Sequence, residues 1–170
     1  DTGCAVAWVS QAWKWKSGQR FIHAFNQTPM GYGLPAAIGA HYATGKPVLL
    51  VTGDGSLMMS LGELATVAGN NLPIKIVMLD NKGHAMCRQT QRQWLGGRYR
   101  ATSSVDVATP NFSEVARAYG ITVVDNLERL FAVRSPAFLE VMVDEEEGVV
   151  PQVRFGKSIE EGDPALPDEV

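Results

Sequence analysis

Two apolar runs, each closing on oxygen-bearing residues, constrain this chain more than anything else in it. VLLVTGDG (48–55) and IKIVMLDN (74–81) are short, continuous and rich in Val, Leu and Ile. That is the pattern of strands buried on both faces rather than on one. SLGELATVAGNN (60–71) lies between them. It reads as a helix with Leu61, Leu64, Ala65 and Ala68 on one face, closed by Asn70 and Asn71. Strands that are buried on both sides and joined through a helix build a parallel sheet with helices against it.

The rest of the chain continues the alternation. AVAWVSQAWKW (5–15) starts a short helix, RFIHAFNQTPMGYG (20–33) is loop-like, and LPAAIGAHYA (34–43) is a helix of small residues able to lie close to a sheet or to another chain. KGHAMCRQTQRQWLGGRYRATSS (82–104) is polar and weakly periodic, and a long irregular stretch inside a domain is more often functional than idle. TPNFSEVARAYG (109–120) is a helix that Thr109 or Asn111 can cap and Gly120 can end. ITVV (121–124) and AFLEVMVD (137–144) are further strands, and the residues between them leave scarcely enough room for a crossover helix. The expected architecture is a three-layer α/β/α domain on a mostly parallel sheet over residues 1–145, with an acidic, Pro- and Gly-bearing surface tail at 146–170. The sequence opens on DTG without a methionine. DTG reads as the end of a strand, so a fragment, a processed subunit or part of a longer chain is expected.

Bulk properties remove several classes of function. The chain has 170 residues, of which 45% are hydrophobic and 19% charged, ordinary for one globular domain. A net charge of -3 with no basic stripe argues against nucleic acid. No apolar run is long enough to span a bilayer, so no membrane partner is expected. Cys4 and Cys87 are far apart and in no metal-ligand spacing, which reads as free thiols and a cytoplasmic location.

The chemistry concentrates where the two runs end. Ligands of open parallel sheets bind beyond the carboxyl ends of the strands. Gly53 and Gly55 allow close approach of a ligand, and backbone N–H groups near Gly55 and Ser56 suit a phosphate oxygen. Asp54 repels phosphate unless a cation lies between them. Asn81, with a nearby carbonyl such as that of Gly83, can meet the same ion from the neighbouring strand. Magnesium takes such a set of oxygen ligands and shares it with phosphate. GxxxxGK[ST] is absent, as is a GxGxxG after a strand, which leaves a general nucleotide-binding module as the weaker alternative.

GDG at 53–55, then 25 residues, then Asn81 resembles the thiamine-diphosphate motif of decarboxylases and carboligases. MGYGLPAAIGA (30–40) and PNFSEVARAYGI (110–121) resemble the corresponding parts of the acetolactate synthase group, so the likeness runs from about residue 25 to 145. It implies a thiamine-diphosphate-binding fold, specifically the C-terminal domain that holds the diphosphate and Mg2+. It assigns metal ligation to Asp54, Asn81 and the Gly83 carbonyl, and diphosphate contacts to Gly55 and Ser56, with Gly53 in the same turn. Met59 matches the residue that props the cofactor in its bent shape. Thr28 and Met30 match backbone positions on the aminopyrimidine, and Met86 matches a residue close to the substrate side. The implied reaction is decarboxylation or carboligation of a 2-keto acid, with pyruvate as the donor. The activating glutamate would come from a pyrimidine-binding domain of the same or another chain, within at least a homodimer. Neither that domain nor the middle domain, which would carry FAD in members that bind it, is contained in this sequence. A separate subunit of a split decarboxylase is the other arrangement the resemblance allows.

The chain departs from the housekeeping enzymes at Thr90, where the acetolactate synthases carry a tryptophan four residues after the position of Met86; Trp94 lies too far along to replace it. RQTQ (88–91) is similar to acetolactate-synthase-like proteins of modified-sugar and other secondary metabolism. His84 is a candidate to meet a substrate carboxylate or shuttle a proton, and Arg88 and Arg92 to attract an anionic substrate. Glu63 reads as a helix residue, and Cys87 as packing.

Overall fold

The computed structural model describes residues 1–165 apart from positions 155 and 159; the last five residues of the expected tail lie outside the described residues. Four strands form a parallel sheet: β1 (Val48–Gly53), β2 (Ile74–Asp80), β3 (Thr122–Val124) and β4 (Ala137–Met142), in the order β1-β2-β4-β3. The register runs Val48 to Ile74 and Gly53 to Leu79 between β1 and β2, and Lys75 to Ala137 between β2 and β4. Gln152–Val153 and Gly162–Asp163 add a two-residue antiparallel pair, β5 and β6.

Period-2 geometry divides β2 between two cores. Ile74, Ile76 and Met78 face one layer, where Leu34 and Ala37 of α2 (Gly33–Thr44), Leu57 of α3 (Asp54–Met59), Leu64 and Val67 of α4 (Leu64–Gly69), and Phe112 and Ala116 of α6 (Phe112–Ala118) pack with Phe138. Val77 faces the other, with Leu139 and with Leu130 of α7 (Leu127–Ala132). Helices on both faces of a parallel sheet give the expected three layers. The same alternation buries Lys75, whose ammonium donates to the carbonyls of Val133 and Ser135 beside β4. Burial lowers its pKa.

Local chemistry explains the element ends. The Asn111 side chain accepts the Glu114 N–H at 3.0 Å and caps α6, and Gly120 ends the turn at φ 85°. Asn126 caps α7 in the same way through Arg129 N–H at 2.9 Å. That six-residue helix completes the β3–β4 crossover, so the connection that looked too short suffices. The expected helix at 60–71 is broken: α3 ends at Met59, a 3-10 turn covers Leu61–Glu63, and α4 follows. The break shifts the phase, so Leu64 and Val67 are buried while Ala65 is exposed.

Two regions differ from the sequence expectation. The stretch at 82–104 holds a helix, α5 (Ala85–Trp94). Residues beyond 145 are sewn down at their start. Gln89 of α5 bonds both the N–H and the carbonyl of Val149, and Trp8 of α1 (Cys4–Ala12) donates to the Gly148 carbonyl at 3.2 Å. Val149 is buried against Cys4 and Ala85. Among the described residues, no helix is long and apolar enough to cross a membrane.

Candidate functional site

The parallel register places Asp54, the residue after Gly53, beside the Asp80–Asn81 step at the end of β2. Asp54 begins α3 and is 1% exposed. Its Oδ2 accepts the Gly83 N–H at 2.8 Å, which ties the loop after β2 to the loop after β1. Burial pushes the Asp54 carboxyl up to about 6. The charge of Asp80 adds to the rise, and backbone N–H groups of Gly55 and Gly83 oppose it. A buried carboxylate held in this way has a deficit of positive charge that a cation would supply.

Asn81 supplies the second indication of a ligand. It is 7% exposed, and its Oδ1 has no hydrogen-bond partner. Leaving a buried amide oxygen unsatisfied costs about 1–3 kcal/mol, so such an atom calls for a ligand. A carboxylate, an amide oxygen and backbone carbonyls make an all-oxygen donor set, which suits magnesium rather than a soft metal. Among the described residues, no group of three or more His, Cys, Asp or Glu could hold a metal.

The loop after β2 is fixed at successive peptides. Asp80 Oδ1 accepts the Lys82 N–H at 2.9 Å, and Lys82 has φ 59°. The Lys82 ammonium pairs with Asp80 Oδ2 at 2.5 Å, which keeps a competing cation engaged away from Asp54. His84 N–H donates to the Thr102 carbonyl at 3.0 Å. A side chain at Gly83 would strike the Thr102 backbone, so this position tolerates only glycine. No residue pattern pointed to Thr102: it is buried, in the weakly periodic segment, and acts through its carbonyl.

The remaining residues singled out from the sequence form an open face. Thr28 is exposed and carries a positive φ of 43°, a strained conformation of the kind found at ligand sites. The Thr28–Gly31 turn reaches α3, since a Cβ on Gly31 would lie 2.6 Å from Met59 Cβ and 3.4 Å from the Ser56 carbonyl oxygen. Met30, Met59 and Met86 are 38%, 65% and 36% exposed. None is core filler. Gly55 and Ser56 are buried beneath this face.

Not every candidate faces the site freely. Arg88 is paired with Glu146 and lies 4.0 Å over the Tyr99 ring, and Arg92 approaches Glu146 at 3.6 Å. Both arginines bind the 145–149 segment. Cys87 is an exposed free thiol rather than a packing residue. A cavity of about 710 Å³ opens beyond the ends of β3 and β4, lined by Asn111, Ser113, Arg117 and Glu140 among others, and shares only Lys82 with the loop after β2.

Comparison with known proteins agrees with this arrangement. Residues 1–150 match the family described as thiamine pyrophosphate enzyme, C-terminal TPP binding domain. The acetolactate synthase large subunit of Porphyra purpurea is 38% identical over 168 residues, covering 93% of this chain and 28% of the relative. The acetolactate synthase isozyme 2 large subunit of Escherichia coli is 37% identical over 168 residues, covering 93% and 30%. A solved structure, the Rhodococcus jostii thiamine diphosphate-dependent 4-hydroxybenzoylformate decarboxylase, superposes with a TM-score of 0.60 at 28% identity, covering 69% of this chain and 24% of that one. The chain thus spans less than a third of the length of these relatives.

Proposed function

The chain belongs to the thiamine pyrophosphate enzymes, as their C-terminal cofactor-binding domain, and from that premise we propose that it holds the diphosphate and magnesium in a 2-keto acid carboligase or decarboxylase of the acetolactate synthase kind. The observation that carries the reading is the pairing, at neighbouring strand ends, of buried Asp54 with the unpartnered Oδ1 of Asn81.

In this reading Asp54, Asn81 and the Gly83 carbonyl hold magnesium, and the backbone N–H groups at Gly55 and Ser56 hold the phosphate oxygens. Met59, projecting from the end of α3, props the cofactor in its bent form. The backbone at Thr28, with its positive φ, and at Met30 would meet the aminopyrimidine, and Met86 would border the substrate. When bound, the thiazolium of the cofactor supplies the electron sink that lets a bond next to a carbonyl break. The chain's own contribution is to neutralise the diphosphate, fix its register and keep water from the metal end. The glutamate that activates the cofactor comes from a pyrimidine-binding domain of the same or another chain, in at least a homodimer located in the cytoplasm. The exposed methionine face fits such a covering domain. No observation favours the separate-subunit arrangement or the nucleotide-binding module.

Pyruvate is the donor in this reading, as the resemblance to the acetolactate synthase group implies. Thr90, in place of the tryptophan, leaves more room on the acceptor side, where a second keto acid, a keto-sugar nucleotide or an aldehyde would bind. Incubating the full-length protein with pyruvate, thiamine diphosphate and magnesium, with and without these acceptors, tests the assignment through CO2 release and product mass. Release of CO2 with a new carbon–carbon bond supports it. A protein that binds the cofactor yet leaves pyruvate untouched would exclude pyruvate as donor.

A further inference from the structure

His84 takes a place that its sequence position did not suggest. A Cβ built on Gly55 would lie 2.5 Å from His84 Nδ1 and 2.6 Å from Cε1, with Met30 Cε at 3.4 Å. The imidazole therefore rests against the open α-carbon face of Gly55, beside the buried backbone of residues 55 and 56. The His84 backbone is held there from both sides: Gly83 N–H is bonded to Asp54 at 2.8 Å, His84 N–H to Thr102 O at 3.0 Å, and Arg88 N–H to the His84 carbonyl at 2.9 Å. The ring itself is half-buried, and no hydrogen bond of either ring nitrogen is seen among the described residues. A fixed backbone thus delivers an uncommitted polar ring to one spot. The unpartnered, buried Oδ1 of Asn81, on the same loop, independently calls for a ligand beside that loop.

We infer that His84 is a further cofactor-holding residue, whose ring N–H donates to a phosphate oxygen of the diphosphate at Gly55. The inference rests on the assignment of the diphosphate to this site. It gives His84 a role different from the expected one of meeting a substrate carboxylate or shuttling a proton, because the ring lies against Gly55. It also gives Gly55 a second reason to be glycine, since any side chain there would evict the imidazole.

The test is calorimetric titration of full-length protein in excess magnesium with thiamine diphosphate, and separately with thiamine, which has no phosphate. His84→Ala should weaken thiamine diphosphate binding about tenfold, the size of one hydrogen bond to a charged group. Thiamine affinity should stay unchanged. His84→Gln, which keeps an N–H donor, should recover most of the loss. Affinity of the alanine variant within twofold of the unaltered protein would overturn the inference. So would an equal loss for thiamine, or a glutamine variant as weak as the alanine variant in a folded protein. If the unaltered protein itself fails to bind thiamine diphosphate, the diphosphate site falls and His84's part falls with it. Binding by the unaltered protein with no response at His84 defeats this inference alone.

Discussion

The two ends of the site are built on opposite principles. At the metal end, Asp54, Gly55, Ser56, Asn81 and Gly83 are all buried, and the bond from Gly83 N–H to Asp54 Oδ2 joins the two loops that carry them. At the ring end, Thr28, Met30, Met59 and Met86 are exposed, on an irregular turn and on two helices. In the proposed function the buried end would recognise charge, which needs a dry, preorganised set of donors. The open end would grip an apolar ring only when a covering surface closes over it, the part the proposed function gives to another domain. Stability and cofactor affinity should therefore separate: changes at the buried end should move both, and changes at the open face should move only function.

The largest expected effect comes from removing the carboxylate. Asp54→Ala should weaken magnesium-dependent thiamine diphosphate binding by about a hundredfold or more, roughly 2.7 kcal/mol, as read by calorimetry. Affinity within threefold of the unaltered protein would break the comparison at its metal end.

The same carboxylate should act in the opposite sense on the metal-free protein. Its folded pKa is raised from 3.8 to about 6 by burial. The folded state therefore resists its ionisation, and the penalty is absent below pH 3.8, grows from there to about 6, and is full above 6. Asp54→Asn should then raise metal-free stability above pH 6 by as much as about 3 kcal/mol, at 1.36 kcal/mol per pKa unit. The gain should vanish toward pH 4. Denaturant melts in EDTA across this range check it, and a gain independent of pH would contradict the cause given.

Gly83→Ala drives a Cβ into the Thr102 backbone, which cannot move without unpinning the loop. A loss of about 2 kcal/mol in stability is expected, in the range of overpacking in a closed interior. The smallest effect on stability should come from the open face. Met59→Ala, at a side chain 65% exposed, should change stability by less than about 0.5 kcal/mol and still lower turnover in the full-length enzyme. A large loss of stability would mean that Met59 packs in the domain rather than on the cofactor.

Much of this was legible in the sequence, because strands buried on both faces advertise themselves as continuous apolar runs and because Asp54 and Asn81 end two of them. The proposed metal ligands lie in short loops directly after those strands, so their neighbourhood could be read from the strand pattern. α5 was not legible: of its ten residues only Ala85 and Gln89 are buried, and a helix whose main anchor is an amide has no apolar period to read. The burial of Val67 in place of Ala65 was hidden by the 3-10 turn at Leu61–Glu63, which no local residue type announces. Thr102 and the His84 ring position depend on tertiary contacts across 18 and 29 positions of chain, beyond the reach of any local pattern.

In the proposed function a cation shared by Asp54 and Asn81 joins the diphosphate to this chain. Titrating thiamine diphosphate into the full-length protein, first with magnesium and then with EDTA, tests it most directly. The account predicts saturable one-to-one binding with magnesium that EDTA abolishes. Binding of equal strength in EDTA, or none in either condition by a folded protein, would contradict it.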